Sequence, residues 1–144
     1  MRIGVIDTGV FVAGIYWRNE PHKVLRAVAL GILQPVLTEP VLDEYVRTAW
    51  RLRDQEGLNS EPTPWLETFQ TAALWVAPVA LREPVCRDRK DDKFFEAALG
   101  ADCGLLVARD QDLTLLEKPF AISILTPRAF LATLSRTERR QLTN

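Results

Sequence analysis

The stretch from Arg87 to Leu113, RDRKDDKFFEAALGADCGLLVARDQDL, most narrows the folds open to this chain. It opens with Asp88, Asp91 and Asp92 among basic residues, and an apolar helical pattern follows in Phe94, Phe95, Ala97, Ala98 and Leu99. Gly100 is expected to stop that helix, because glycine just after a last turn takes the left-handed conformation without strain. Cys103 to Ala108 reads as a short apolar run of the kind that forms buried parallel strands, and it ends at Arg109-Asp110-Gln111-Asp112. A helix with an acidic start thus leads into a strand with an acidic end. Ligand sites in parallel α/β sheets lie at the carboxyl ends of strands.

A second run with the same ending opens the chain. Arg2 to Ile6 is apolar and β-prone, and Asp7-Thr8-Gly9 follows it. If the two strands are parallel, Asp7 and either Asp110 or Asp112 emerge on one edge of the sheet. Asp92, in the first turn of the intervening helix, reaches the same edge, with Asp91 before it as the helix N-cap. Clustered carboxylates repel one another and are costly unless a cation neutralises them. All-oxygen ligation of this kind suits Mg2+ or Mn2+.

The rest of the chain alternates strand and helix patterns. Val10 to Trp17, Pro21 to Leu30, Glu39 to Gln55, Trp65 to Trp75 and Pro127 to Leu134 read as helices. Pro35 to Thr38, Val76 to Val79 and Ala121 to Leu125 read as strands, the middle one an edge strand on account of Pro78. Such alternation predicts an α/β fold with a parallel sheet. At 144 residues the chain is long enough for one such domain, expected over residues 1–136, with a polar C-terminal tail over 137–144 that frays.

Apolar residues at 47% and charged residues at 26% predict a globular, soluble protein. The net charge of −1 gives no general basic field, so a polyanion would need a local basic patch or a metal. Cys86 and Cys103 make neither a disulfide framework nor a zinc site, which points to a reduced, cytoplasmic setting. No run approaches the roughly 18 apolar residues of a membrane span.

Taken in order, these pieces resemble a PIN domain, in particular the VapC-like toxin ribonucleases of prokaryotic toxin–antitoxin pairs. The matching pieces are Val5-Ile6-Asp7-Thr8, Glu44 inside the long helix, Asp88 to Ala98, Ala101-Asp102, and Leu106 to Leu113. The resemblance implies a three-layer sandwich, a central parallel sheet flanked by helices. It implies an endoribonuclease dependent on Mg2+ or Mn2+, with an acidic tetrad at Asp7, Glu44, Asp92 and Asp110 and Thr8 as a polar helper. Asp112 competes with Asp110 for the fourth place, and Ala108 stands where the family often has threonine. The resemblance further implies an RNA substrate, an antitoxin protein as partner, and a homodimer.

Plainer readings exist for each residue. Asp7-Thr8-Gly9 is good turn chemistry. Glu44 on a helix face could pair with Arg47 at i,i+3; if it faces the metal instead, Arg47 and Arg51 come close enough to hold phosphates. Glu96 lies one turn from Asp92 on the same face and reads as solvated. His22, the one histidine, reads as a surface or capping residue. The aspartic protease signature also contains Asp-Thr-Gly, but it needs an all-β body. A haloacid-dehalogenase-type phosphatase would place a second acid at Gly9. A catalytically silent PIN-like module binding RNA or protein is the other alternative.

Overall fold

A computed structural model describes residues 2–86, 88–109 and 119–143. Asp110 and Asp112 lie outside the described residues. Five strands form one parallel sheet: β1 (Arg2–Ile6), β2 (Leu33–Leu37), β3 (Leu74–Trp75), β4 (Leu105–Val107) and β5 (Ser123–Leu125). Their spatial order is β3-β2-β1-β4-β5, which puts the first strand at the centre. Val5 and Ile6 pair with Leu106 and Val107 on one side, and Gly4 pairs with Pro35 on the other. The chain steps outward from β1 to β3, then crosses back to β4 and steps outward the other way. The reversal falls between β1 and β4, where open α/β sheets form their ligand crevices.

Seven α-helices flank the sheet among the described residues: α1 (Thr8–Tyr16), α2 (Glu20–Ala29), α3 (Glu39–Glu56), α4 (Thr63–Ala72), α5 (Asp92–Ala101), α6 (Pro127–Ala132) and α7 (Arg136–Thr143). Right-handed crossovers put α5 on the face opposite α2 and α4, while α6 and α7, which follow the last strand, pack on α2. Accordingly α5 packs across β1, β2 and β4, while α2 and α4 pack on β2 with α1 against α2. None of these helices is long and apolar enough to cross a membrane. The expected α/β sandwich with a central parallel sheet is the observed architecture.

Three local expectations need correction. The edge strand lies at Leu74–Trp75, not at Val76 to Val79. Leu74 and Trp75 pair with Val36 and Leu37, and the Val76 N–H adds a last bond to the Leu37 carbonyl at 3.1 Å. Pro78 has no N–H with which to continue. Helix α5 runs through Gly100 and ends with Asp102 as its left-handed cap, at φ 51°. Gly100 serves close approach instead: a Cβ there would lie 2.2 Å from the Ala77 carbonyl oxygen. The segment expected to fray is helix α7. Its Leu142 is buried, and Glu138 pairs with Arg2 at 2.6 Å. One apolar anchor and one ion pair to β1 are what the polar composition concealed.

The core between α1, α3 and α4 is aromatic. Phe11 stacks on Tyr45 with ring centroids 4.2 Å apart, and Phe69 meets both edge-on. Tyr45 is wholly buried, and its hydroxyl donates to the Ile6 carbonyl, fastening α3 to the last residue of β1. A buried phenol needs such a partner. Thr38 caps α3 at its start, and Gly57 ends it in the left-handed conformation, at φ 62°. Cys86 is buried, Cys103 half-buried, and neither is in a disulfide among the described residues.

Candidate active site

Asp7 leaves β1 at the reversal point and caps α1. Its Oδ1 accepts the Val10 N–H at 2.8 Å, and its Oδ2 accepts the Arg109 N–H at 3.3 Å. The Asp7 N–H in turn donates to the Val107 carbonyl at 2.9 Å, so the β1–β4 ladder ends on this residue. An aspartate suits this place, since a helix N-terminus favours an anion. Asp7 is therefore both a cap, as turn chemistry suggests, and a wall of the site: it is 3% exposed and faces a cavity.

That cavity holds about 310 Å³ and is lined by Asp7, Thr8, Glu44, Asp91, Phe94 and Arg109. Thr8 follows the cap, and its hydroxyl donates to Glu44 Oε2 across from α3. Glu44 Oε1 receives the Lys93 ammonium at 2.9 Å, with both side chains 18% exposed. Glu44 thus turns toward Thr8 and α5, and the surface pairing with Arg47 is not made. Arg47 and Arg51 are exposed and line no part of this cavity. Burial pushes the Tyr45 hydroxyl well above the usual phenol range, and the nearby carboxylates of Asp7 and Glu44 push it further. Beneath the acids it remains a neutral donor.

The third acid is where the structure departs from expectation. Asp92 was expected in the site, with Asp91 as a cap. The carboxylate of Asp92 turns the other way: its Oδ1 accepts the Cys86 N–H at 2.7 Å and the Val85 N–H at 3.2 Å. Asp91 lines the cavity and makes no side-chain capping bond to α5. The cause is a single 3-10 turn, Arg89–Asp91, capped by Asp88, whose Oδ1 accepts the Lys90 N–H at 3.0 Å. This turn precedes α5 and advances the acid facing the cavity by one residue. Glu96 is not solvated but holds the chain before α5, accepting the Leu81 N–H at 3.1 Å. His22 contacts the Gly14 carbonyl through Nδ1 at 2.8 Å and takes no part in the site.

Sequence reasoning missed Asp91, Lys93 and Arg109 as lining or neutralising groups, and Tyr45 as a support. The adjacent pair Asp91-Asp92 carried the signal for the first: two acids at a helix start leave the rotational phase open by 100°, one residue of a helix.

The donors facing this cavity are carboxylates and a hydroxyl, the chemistry of a Mg2+ or Mn2+ site. Among the described residues no three acids gather closely enough to enclose an ion. The Lys93 ammonium on Glu44 marks a place in the cavity that accepts positive charge. In donor chemistry the carboxylates and the hydroxyl suit a hard divalent cation.

The chain belongs to the PIN-domain family, whose description matches residues 4–112. No curated protein matches the chain. PIN domains are typically nucleases, and this sheet, with its central β1 and flanking helices, is the nuclease-like fold of that family.

Proposed function

We propose that this chain is a metal-dependent endoribonuclease, the toxin of a VapC-like toxin–antitoxin pair. The observation that carries the reading is the placement of Asp7, Thr8, Glu44 and Asp91 around one cavity at the reversal between β1 and β4. Asp7, Glu44 and Asp91 would hold Mg2+ or Mn2+, with Asp110, two residues after the buried Ala108 at the end of β4, or Asp112 completing the set. When bound, such an ion lowers the pKa of a water and neutralises charge on a phosphate. Asp7, fixed through Val10 and Arg109, offers one carboxylate in a set orientation. Thr8 holds Glu44 on one oxygen while Lys93 neutralises the other. Asp92 keeps the chain at Val85 and Cys86 in place and so positions Asp91 beside it. An antitoxin partner, a homodimer and a cytoplasmic setting belong to the same reading. The exposed Trp75 and Val79 supply apolar surface for partners.

The test is cleavage of single-stranded RNA by the pure protein in Mg2+, in Mn2+ and in EDTA. Cleavage with either metal that stops in EDTA and fails in Asp7→Asn supports the reading; equal rates for Asp7→Asn and wild type refute it. The Lys93–Glu44 ion pair favours one other reading, a catalytically silent PIN module whose lysine stands in for the metal. RNA binding without cleavage in any metal, alongside no gain in melting temperature from Mn2+, would favour that module.

A further inference from the structure

A second and larger cleft, of about 610 Å³, opens beside the acidic cavity, and Arg109 lines both. Trp17, Asn19, Glu20, Thr126 and Arg128 form much of its remaining wall, from the end of α1, the start of α2 and the start of α6. We propose that this cleft is the track along which a single strand of RNA enters the acidic cavity. In it Trp17 stacks on a base while Arg109 and Arg128 hold phosphates. This assignment rests on the ribonuclease reading above and adds the path of the substrate to it.

Charge supports it first. The chain is close to neutral overall, and the acidic cavity repels a phosphate backbone, so attraction must come from beside the cavity. Arg109 and Arg128 are exposed and make no salt bridge among the described residues. Arginine in this state is suited to phosphate by its planar donor fork. Glu20 is the single acid on the described lining, and it sits in the first turn of α2, whose positive end it offsets.

The aromatic residue supports it second. Trp17 is 45% exposed although it adjoins the buried α1. Tyr16 meets it at an interplanar angle of 77°, and no other ring touches it among the described residues. Tyr16 is itself anchored, its hydroxyl donating to the Ala49 carbonyl at 2.6 Å. An indole held in place with no ring stacked on it among the described residues, in a groove with two arginines that make no salt bridge among them, is the arrangement by which proteins hold single strands. A duplex keeps its bases stacked inside and offers the indole no partner, so the occupant is single-stranded.

The test measures binding of a 12-nucleotide oligouridylate, labelled at its 5′ end, by fluorescence anisotropy with the full chain in EDTA. Trp17→Ala should weaken binding on the order of fivefold to a hundredfold, with Trp17→Phe closer to wild type. Arg128→Ala should weaken it and flatten the slope of log affinity against log salt by about 0.7, one phosphate contact on a single strand. Arg139→Ala, on the exposed side of α7, should bind as wild type does. Both positions in the cleft are exposed, and melting curves verify that the variants fold. Wild-type affinity and salt slope in Trp17→Ala and Arg128→Ala would overturn the track. So would a Trp17→Ala protein that changes its self-association in light scattering while binding RNA unchanged, which would make this face a protein contact. Cleavage by wild type in Mn2+ is scored separately. Loss of the track with cleavage intact removes this inference alone, whereas variant-sensitive binding without cleavage removes the nuclease reading alone.

Discussion

Asp7 and Asp92 are both buried aspartates beside helix starts, and both accept backbone N–H bonds, yet they face opposite ways. Asp7 stands at the end of the central strand, where its two oxygens receive Val10 from its own helix and Arg109 from the end of β4. Those donors lie to the sides, and the carboxylate keeps its outlook on the cavity. Asp92 stands one residue past a 3-10 turn and spends its Oδ1 on two successive N–H groups of a loop, Val85 and Cys86. On the proposed reading, residue type and burial do not separate an acid of the site from a supporting one. What separates them is whether the bonded donors belong to the rim of the cavity or to a loop behind it.

Substitutions can break or sharpen that contrast. The largest effect is expected from Asp7→Asn, which keeps the capping oxygen but loses the charge. RNA cleavage should fall by about a hundredfold or more, while stability changes by less than ~1 kcal/mol; rate assays beside urea melts check both. Next is Asp92→Ala, which strands two N–H donors. It should cost roughly 3 kcal/mol and lower the melting temperature by about 6–12 °C. Asp91→Ala is its mirror image, with cleavage lost and stability lowered by less than in Asp92→Ala. If the two variants exchange these behaviours, Asp92 is the acid of the site and Asp91 the support.

Lys93→Met probes the other side of Glu44. Without the ammonium, Glu44 carries its full charge toward the cavity, and Mn2+ should bind on the order of tenfold tighter, about 1.4 kcal/mol. That is less than the Coulomb energy of a close pair, because the pair is partly solvated. Calorimetric titration with Mn2+ measures it; unchanged or weaker binding would mean that Lys93 and the metal occupy different places.

The smallest effect concerns Glu138, whose bond to Arg2, first, and to the Ser135 backbone hold its carboxyl below the usual range. A lowered carboxylate pKa contributes stability above its ordinary value, and that contribution is lost as the pH falls through the lowered one. Glu138→Gln should therefore be slightly less stable than wild type near neutral pH and equal to it in strong acid. Urea midpoints at about pH 6 and about pH 3 test this.

Much of the frame was legible because apolar runs ending in Asp7 and Arg109-Asp110 can only be neighbouring strands of a covered sheet. Thr8 and Glu44 were placed by family spacing rather than by the helical wheel, and the structure brings them into contact. The choice between Asp91 and Asp92 was not legible. It depends on a turn whose hydrogen bonds run i to i+3, and composition does not distinguish that turn from the first turn of an α-helix. Lys93 was hidden for a similar reason: a lysine near a helix start reads as solvated until a carboxylate from another helix comes within reach. The helix at 136–143 was missed because one leucine among polar residues carries no periodicity.

The clasp between Arg2 and Glu138 has a practical bearing on experiments. It sits at the opposite end of β1 from Asp7, a separation of about 16 Å at the rise of a strand. An affinity handle or fluorescent reporter joined after α7 would emerge near the end of β1 opposite the acidic cavity. Immobilised or labelled protein should then present its cavity and cleft outward, so surface-based binding measurements need no removal of the handle.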